Sequence, residues 1–340
     1  MKSLWLDVFA VAAVAAAALL LAAGNLQPRG DIALLNVSYA PTEELLTDLD
    51  QQFVTQYRKD TGKTLVIKQS HGGSSRQAKA VVDGLQADVV SLALPSDINL
   101  ISKHGLIASN WTQRLPNNSQ PYSSTIVFVV RKGNPKSIKD WPDLVRPDVS
   151  VITPNPKTSG NGKLSLLAAW GSVIYRGGTN EQARDFVAKL YQHVPVLGTG
   201  ATDSTTTFAY DKIGDVHLTW ENEAFRETQD MKGELELVYP PVSIRAEPSV
   251  AWVDTNIDQH HTAEAAKAYL QFFYTDAAQE TLAKYGYRPS NQAVLAKHAD
   301  HLPPINLFPL TLIAKDWDDA QTRFFADNGI FDLIYKPTTQ

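Results

Sequence analysis

Three short stretches rich in Gly, Ser and Thr run directly into segments of helical periodicity. They are Ser70-His71-Gly72-Gly73-Ser74-Ser75, Thr158-Ser159-Gly160-Asn161-Gly162 and Gly200-Ala201-Thr202-Asp203-Ser204-Thr205. Residues of these types in that position suit one task, gripping an anion with neutral dipoles. The first turn of a helix carries backbone N–H groups without internal partners, and the helix dipole places about half a positive charge there. Glycine lets a ligand come close and hydroxyls add donors. Three such termini meeting in one cavity would hold an oxyanion with no lysine or arginine against it. A single Gly-rich turn would carry little weight; the inference rests on having three.

Trp220 ends an apolar strand and precedes Glu221-Asn222-Glu223. Its indole N–H, a donor with no acceptor function, suits a ligand made only of acceptors, although buried tryptophans usually serve packing. Asp203 is the awkward neighbour. It either caps its helix or accepts a proton from a ligand that still carries one, such as hydrogen phosphate.

Other chemistries fail on spacing. Gly160-Asn161-Gly162-Lys163 resembles a nucleotide loop, but a Walker A motif needs glycine where Lys157 stands and Ser or Thr where Leu164 stands. Ser70-His71 belongs to no G-x-S-x-G elbow, and adjacent residues of an extended segment point to opposite faces. The eight histidines form no H-x-x-x-H or H-E-x-x-H pair, so no metal site and no cofactor is expected.

The elements that must position these residues follow from periodicity. Ile32–Val37, Thr64–Gln69 and Ala87–Leu94 read as strands, separated by helices over Leu45–Tyr57 and Arg76–Gly84. Strand and helix alternating at this spacing predict a parallel α/β sheet, whose ligands sit beyond the carboxyl ends of the strands. The first glycine-rich loop falls there. A second α/β unit starts with strands at Thr125–Val130 and Val149–Thr153, then a helix over Lys163–Tyr175, a helix over Glu181–His193 and the strand Val216–Trp220. Leu235–Tyr239 and Ser249–Val253 lead back to the first unit. Helices are expected around Ala263–Phe273 and Trp317–Asn328.

Bulk properties bound the function. Met1-Lys2 and the apolar run Val8–Ala23, closing at Ala22-Ala23-Gly24, read as a signal peptide over 1–24 that exports the chain to the periplasm. An uncleaved anchor is the alternative, because the run lies at the short limit of a membrane span. The remaining length suits two domains. With no cysteine, the exported chain must be held by packing alone. Net charge is −5 without a basic stripe, which argues against nucleic acid and against a polybasic membrane patch.

With these residues laid out, the chain resembles the periplasmic sulfate-binding proteins of ABC-type importers over nearly its whole mature length. The matching blocks are Leu34–Tyr39, Gln69–Ser74, Pro121–Phe128, Val151–Lys157, Ile213–Val216 and Trp220-Glu221-Asn222-Glu223-Ala224. The resemblance implies a type II periplasmic-binding-protein fold, two α/β lobes closing on a dehydrated sulfate. The first lobe is expected over 31–124 plus 241–340, the second over 125–240. Carried over by motif, the contacts are Ser74 through its N–H and hydroxyl, Ser159 through its hydroxyl, the amides of Gly160, Asn161 and Ala201, and the indole of Trp220. The implied partners are sulfate and a membrane permease that recognises the closed form. A monomer without enzymatic activity is expected.

Four positions depart from the family pattern at the same site. Ala40 stands where an aspartate is usual, Asn161 where the second glycine of S-G-G is usual, and Thr202-Asp203 where arginine and glycine are usual. A buried carboxylate beside a dianion is costly unless it is paired or shares a proton. Asp203 therefore points away, or the ligand is not plain sulfate: thiosulfate, molybdate, phosphate and a small organic sulfate stay open. A third reading, from another class, is a cleft enzyme acting on sulfate or phosphate esters, for which the chain shows no activated nucleophile.

Overall fold

β-Branched and aromatic runs form two main sheets, with two small two-stranded ones beside them, in the computed structural model, which describes residues 31–335. The expected leader lies outside the described residues. In the first sheet, β1 (Ile32–Tyr39) pairs in parallel with β2 (Leu65–Gly72), Ile32 opposite Leu65 and Tyr39 opposite Gly72. On its other side β1 pairs in parallel with β3 (Val89–Leu92), and β9 (Ser249–Trp252) closes the edge antiparallel to β3. Between β1 and β2, α1 (Glu43–Thr61) buries Leu45, Leu46, Leu49, Phe53 and Tyr57, the spacing of one helical face. Gly62, at φ 74°, ends it in the left-handed conformation and donates its N–H to Arg58 O at 2.9 Å.

The second sheet has the order β6-β5-β7-β4-β8, with β4 Ile126–Arg131, β5 Val151–Pro154, β6 Leu197–Gly198, β7 Val216–Trp220 and β8 Leu235–Val238. β5 is parallel to both β6 and β7, whereas β4 runs antiparallel to β7 and β8. The carboxyl ends of β5, β6 and β7 therefore share one edge. From that edge start α4 (Gly160–Tyr175), α6 (Ala201–Thr205) and α7 (Glu221–Asp230). From the matching edge of the first sheet start α2 (Ser74–Val82) and α3 (Pro95–Lys103). The parallel topology thus delivers every helix start that the sequence singled out to a strand's carboxyl end.

Two expectations change. Residues 306–335, expected with the first lobe, lie against the second sheet's helices. Asn306–Phe308 pairs with Val242–Ile244, Phe324 meets Trp170 of α4 edge-on at 5.0 Å, and Phe331 meets Tyr191 of α5 (Asn180–Gln192) at 5.2 Å. The reason is that α4 is apolar all round, so its outer face needs a cover; at Gly171 a Cβ would lie 2.2 Å from the Phe308 ring. The helix expected over Trp317–Asn328 is only Trp317–Ala320, followed by a widened π turn over Gln321–Phe325 that buries both Phe324 and Phe325.

Candidate functional site

The first glycine-rich loop supplies the start of α2. Gly73 is an N-cap without a side-chain acceptor, and the N–H groups of Ser74 and Ser75 have no acceptor among the described residues. The hydroxyls beside them are already committed. Ser74 Oγ donates to Asp97 Oδ2 and accepts from Ala93 N at 3.0 Å, and Ser75 Oγ donates to Asp97 Oδ1 at 2.9 Å. Asp97 is buried in the first turn of α3, and burial raises its carboxyl above the usual range, against the two serine hydroxyls and the Lys163 charge that lower it. Ser74 therefore presents its backbone N–H alone. The hydroxyl contact implied by the resemblance is corrected, because a group donating to a carboxylate has no second proton to give.

The second loop starts α4. Ser159 is its N-cap, with Oγ accepting from Gly162 N at 3.4 Å, which leaves its O–H proton to donate. Gly160 N and Asn161 N have no acceptor among the described residues. Asn161 turns its side chain inward: Nδ2 donates to Thr219 Oγ1 at 3.4 Å and Oδ1 accepts from Ser165 Oγ at 3.3 Å. The residue that replaces a usual glycine thus leaves its amide in place and hides its bulk. Gly162 cannot be replaced so easily, since a Cβ there would stand 2.5 Å from Pro154 O.

The third loop is tied to the second. Thr158 Oγ1 donates to Thr199 O at 2.8 Å, and Asn155 N to Gly198 O at 2.8 Å. Gly200 caps α6, leaving Ala201 N and Thr202 N without acceptors among the described residues. Asp203 folds back to accept from Thr199 N at 3.1 Å and from Thr199 Oγ1. Its carboxylate is thereby tied to the loop residue before the cap, and the N-cap role expected of Asp203 falls to Gly200. Trp220 closes the set: it is 2% exposed, yet its Nε1 has no partner among the described residues, whereas the indoles of Trp111, Trp141, Trp170 and Trp252 all donate to acceptors.

One cavity of about 500 Å³ gathers these groups. Its lining includes all nine positions singled out in the sequence: Ala40, Ser74, Ser159, Gly160, Asn161, Ala201, Thr202, Asp203 and Trp220. Contributions come from both sheets, so the cavity lies between them. His71 hydrogen-bonds Ser38 Oγ through Nδ1 at 2.7 Å, and neither residue lines the cavity. Sequence reasoning missed Asp97, although Leu94-Pro95-Ser96-Asp97 has the form of a helix start. It also missed four cations that line the same space, Arg76, Lys157, Lys163 and Arg226. Arg226 pairs with Glu223 at 3.3 Å and Lys157 with Asp332 at 2.8 Å, while Arg76 has no carboxylate partner among the described residues.

A family model described as bacterial extracellular solute-binding protein matches residues 34–288. The chain belongs to that family. Among its relatives, a sulfate-binding protein of Salmonella typhimurium is 47% identical over 90% of this chain and 94% of its own length. A thiosulfate-binding protein of Pseudomonas aeruginosa is 44% identical over 89% of this chain and 92% of its own. In structure, the sulfate-binding protein SubI from Mycobacterium tuberculosis superposes with a TM-score of 0.77 at 32% identity, covering 86% of this chain and 99% of that one. The fold is that of the type II periplasmic solute-binding proteins, two α/β lobes with a ligand cleft between them.

Proposed function

We propose that this protein is the exported binding component of an ABC-type importer and that its cargo is sulfate. The observation that carries this reading is the ring of donors without acceptors around one cavity: the amides of Ser74, Gly160, Asn161 and Ala201, the Ser159 hydroxyl and the Trp220 indole. Such a ring stabilises a fully ionised tetrahedral anion, whose oxygens only accept. The hydrogen bonds from Thr199 to Asp203 and the inward turn of Asn161 support sulfate rather than a rewritten specificity. The sulfate-binding relatives point the same way.

The lobes in this reading are 31–124 with 246–305, and 125–245 with 306–335. The hinge runs where Ser124 and Ala246 bridge, with N–O distances of 2.9 and 3.1 Å. Ligand contacting both lobes stabilises the closed form, which a permease would recognise, and the chain acts in the periplasm as a monomer without catalysing a reaction. Thiosulfate is the second reading, favoured by the relative from Pseudomonas aeruginosa. Calorimetric titration of ligand-stripped protein with sulfate, thiosulfate, molybdate and phosphate tests both. Micromolar sulfate binding, about −8 kcal/mol, with phosphate silent is expected; binding of phosphate in place of sulfate would overturn the reading.

A further inference from the structure

Two lysines bracket the turn that carries Ser159, Gly160 and Asn161, and both line the cavity. Each ammonium group has its hydrogen-bond partners in the C-terminal segment. Lys157 Nζ donates to Asp332 Oδ2 at 2.8 Å and to Ala326 O at 3.0 Å, with Asp327 Oδ1 at 3.6 Å. Lys163 Nζ donates to Gln321 Oε1 at 3.0 Å and lies 5.7 Å from the centre of the Phe325 ring. Every one of these partners comes from a single stretch, residues 321–332. That stretch is held in place by apolar anchors on the second sheet's helices, Phe324 on Trp170 and Phe331 on Tyr191.

A lysine beside an oxyanion site has predictable effects. Its ammonium is a compact, mobile point charge that fits anions of any shape, and a charge-assisted hydrogen bond in a dry cleft is strong. It would tighten the hold on the ligand and slow its release, which a carrier must avoid. We propose that residues 321–332 form a C-terminal strap that draws Lys157 and Lys163 off the bound oxyanion, with Asp332 the residue that sets how fast the ligand is released. The strap keeps both lysines out of the ring of dipoles. This inference rests on the oxyanion-carrier reading given above.

The test compares the full-length protein with Asp327→Asn/Asp332→Asn and with the same pair carrying Lys157→Met. Sulfate affinity and release rate are measured at low and high NaCl, and labelling of Lys157 by an amine-reactive ester is followed by mass spectrometry. The paired variant is expected to bind sulfate about tenfold more tightly at low salt and to release it correspondingly slowly, the scale of one charge acting on a dianion a few ångströms away. The gain should shrink at high salt and vanish with Lys157→Met. Lys157 should label severalfold faster than in the wild type. Unchanged affinity and salt dependence, a gain that survives Lys157→Met, or unchanged labelling overturns the strap. Should the wild type bind neither sulfate nor thiosulfate, the carrier reading fails, and the labelling arm then decides the strap alone.

Discussion

Replacing Trp220 by Phe removes one donor from the cavity while leaving most of an aromatic ring. Trp220 is 2% exposed and packs against Tyr39, with ring centroids 6.2 Å apart and planes tilted by 44°. Phenylalanine can keep that contact, so the loss should divide cleanly. The void left by the five-membered ring costs about 1–2 kcal/mol of folding stability, as other large-to-small core changes do. The lost indole N–H costs binding separately. A hydrogen bond to a charged group contributes about 1.5–3 kcal/mol, which at about 1.4 kcal/mol per decade weakens the dissociation constant by about 10- to 150-fold. Titration calorimetry reads the affinity without relying on tryptophan fluorescence, and a melting curve of the ligand-free variant reads the stability. A dissociation constant within twofold of wild type, in a variant that remains folded, would refute the donor role of Trp220. It would also weaken the premise that an unpartnered buried donor marks the ligand.

Three further outcomes are expected. Gly160→Ala should leave the melting temperature unchanged, because its Cβ meets nothing within 4 Å, but should weaken anion binding measurably by titration; Gly162→Ala should damage both, since its Cβ collides with Pro154 O at 2.5 Å. Asp203→Ala should cost about 1 kcal/mol of stability through the lost hydrogen bond from Thr199 N, while sulfate affinity measured from about pH 5 to 8 stays flat with or without it. Asp50, raised by burial to about 6 despite hydrogen bonds from Tyr269 at 2.6 Å and Gln69 at 2.5 Å, gives the third. Its native pKa lies above the unfolded value, so the wild type should lose stability as pH rises from about 4 through 6. Asp50→Asn should abolish that slope in denaturant titrations and match or exceed wild type at pH 7. The amide of Gln69 can turn over to accept from the new carboxamide, because Gln69 Oε1 has no partner.

Much of the architecture is legible in the sequence. Val216–Trp220 is legible to the residue and Val89–Leu92, buried throughout, reads as a nearly unbroken apolar run, whereas Ile32–Tyr39 and Leu65–Gly72 are only partly buried and are legible from their short apolar starts. The glycine-rich helix starts were legible because exposed N–H groups at a helix terminus demand small, permissive residues whatever lies elsewhere. The helices Pro95–Lys103 and Asp276–Lys284 were missed, although each is as long as Ser74–Val82.

The sequence by itself determined which backbone groups would be unsatisfied and at which strand ends they would lie, because those properties are local to a turn. It determined also that the site would have donors in excess, since Gly, Ser, Thr, Ala and Trp at those positions carry no charge. Only the tertiary structure decided which donors were still free. Ser74 lost its hydroxyl to Asp97, Asp203 turned back to Thr199, and Asn161 buried its side-chain amide against Thr219 while its backbone N–H stayed free of any acceptor among the described residues. Only the packing of residues 306–335 on the second sheet decided where the charges of Lys157 and Lys163 went. A hydrogen bond needs a partner in space, and the partners of Ser74 and Lys157 lie 23 and 175 residues away along the chain, beyond any pattern a local reading can use.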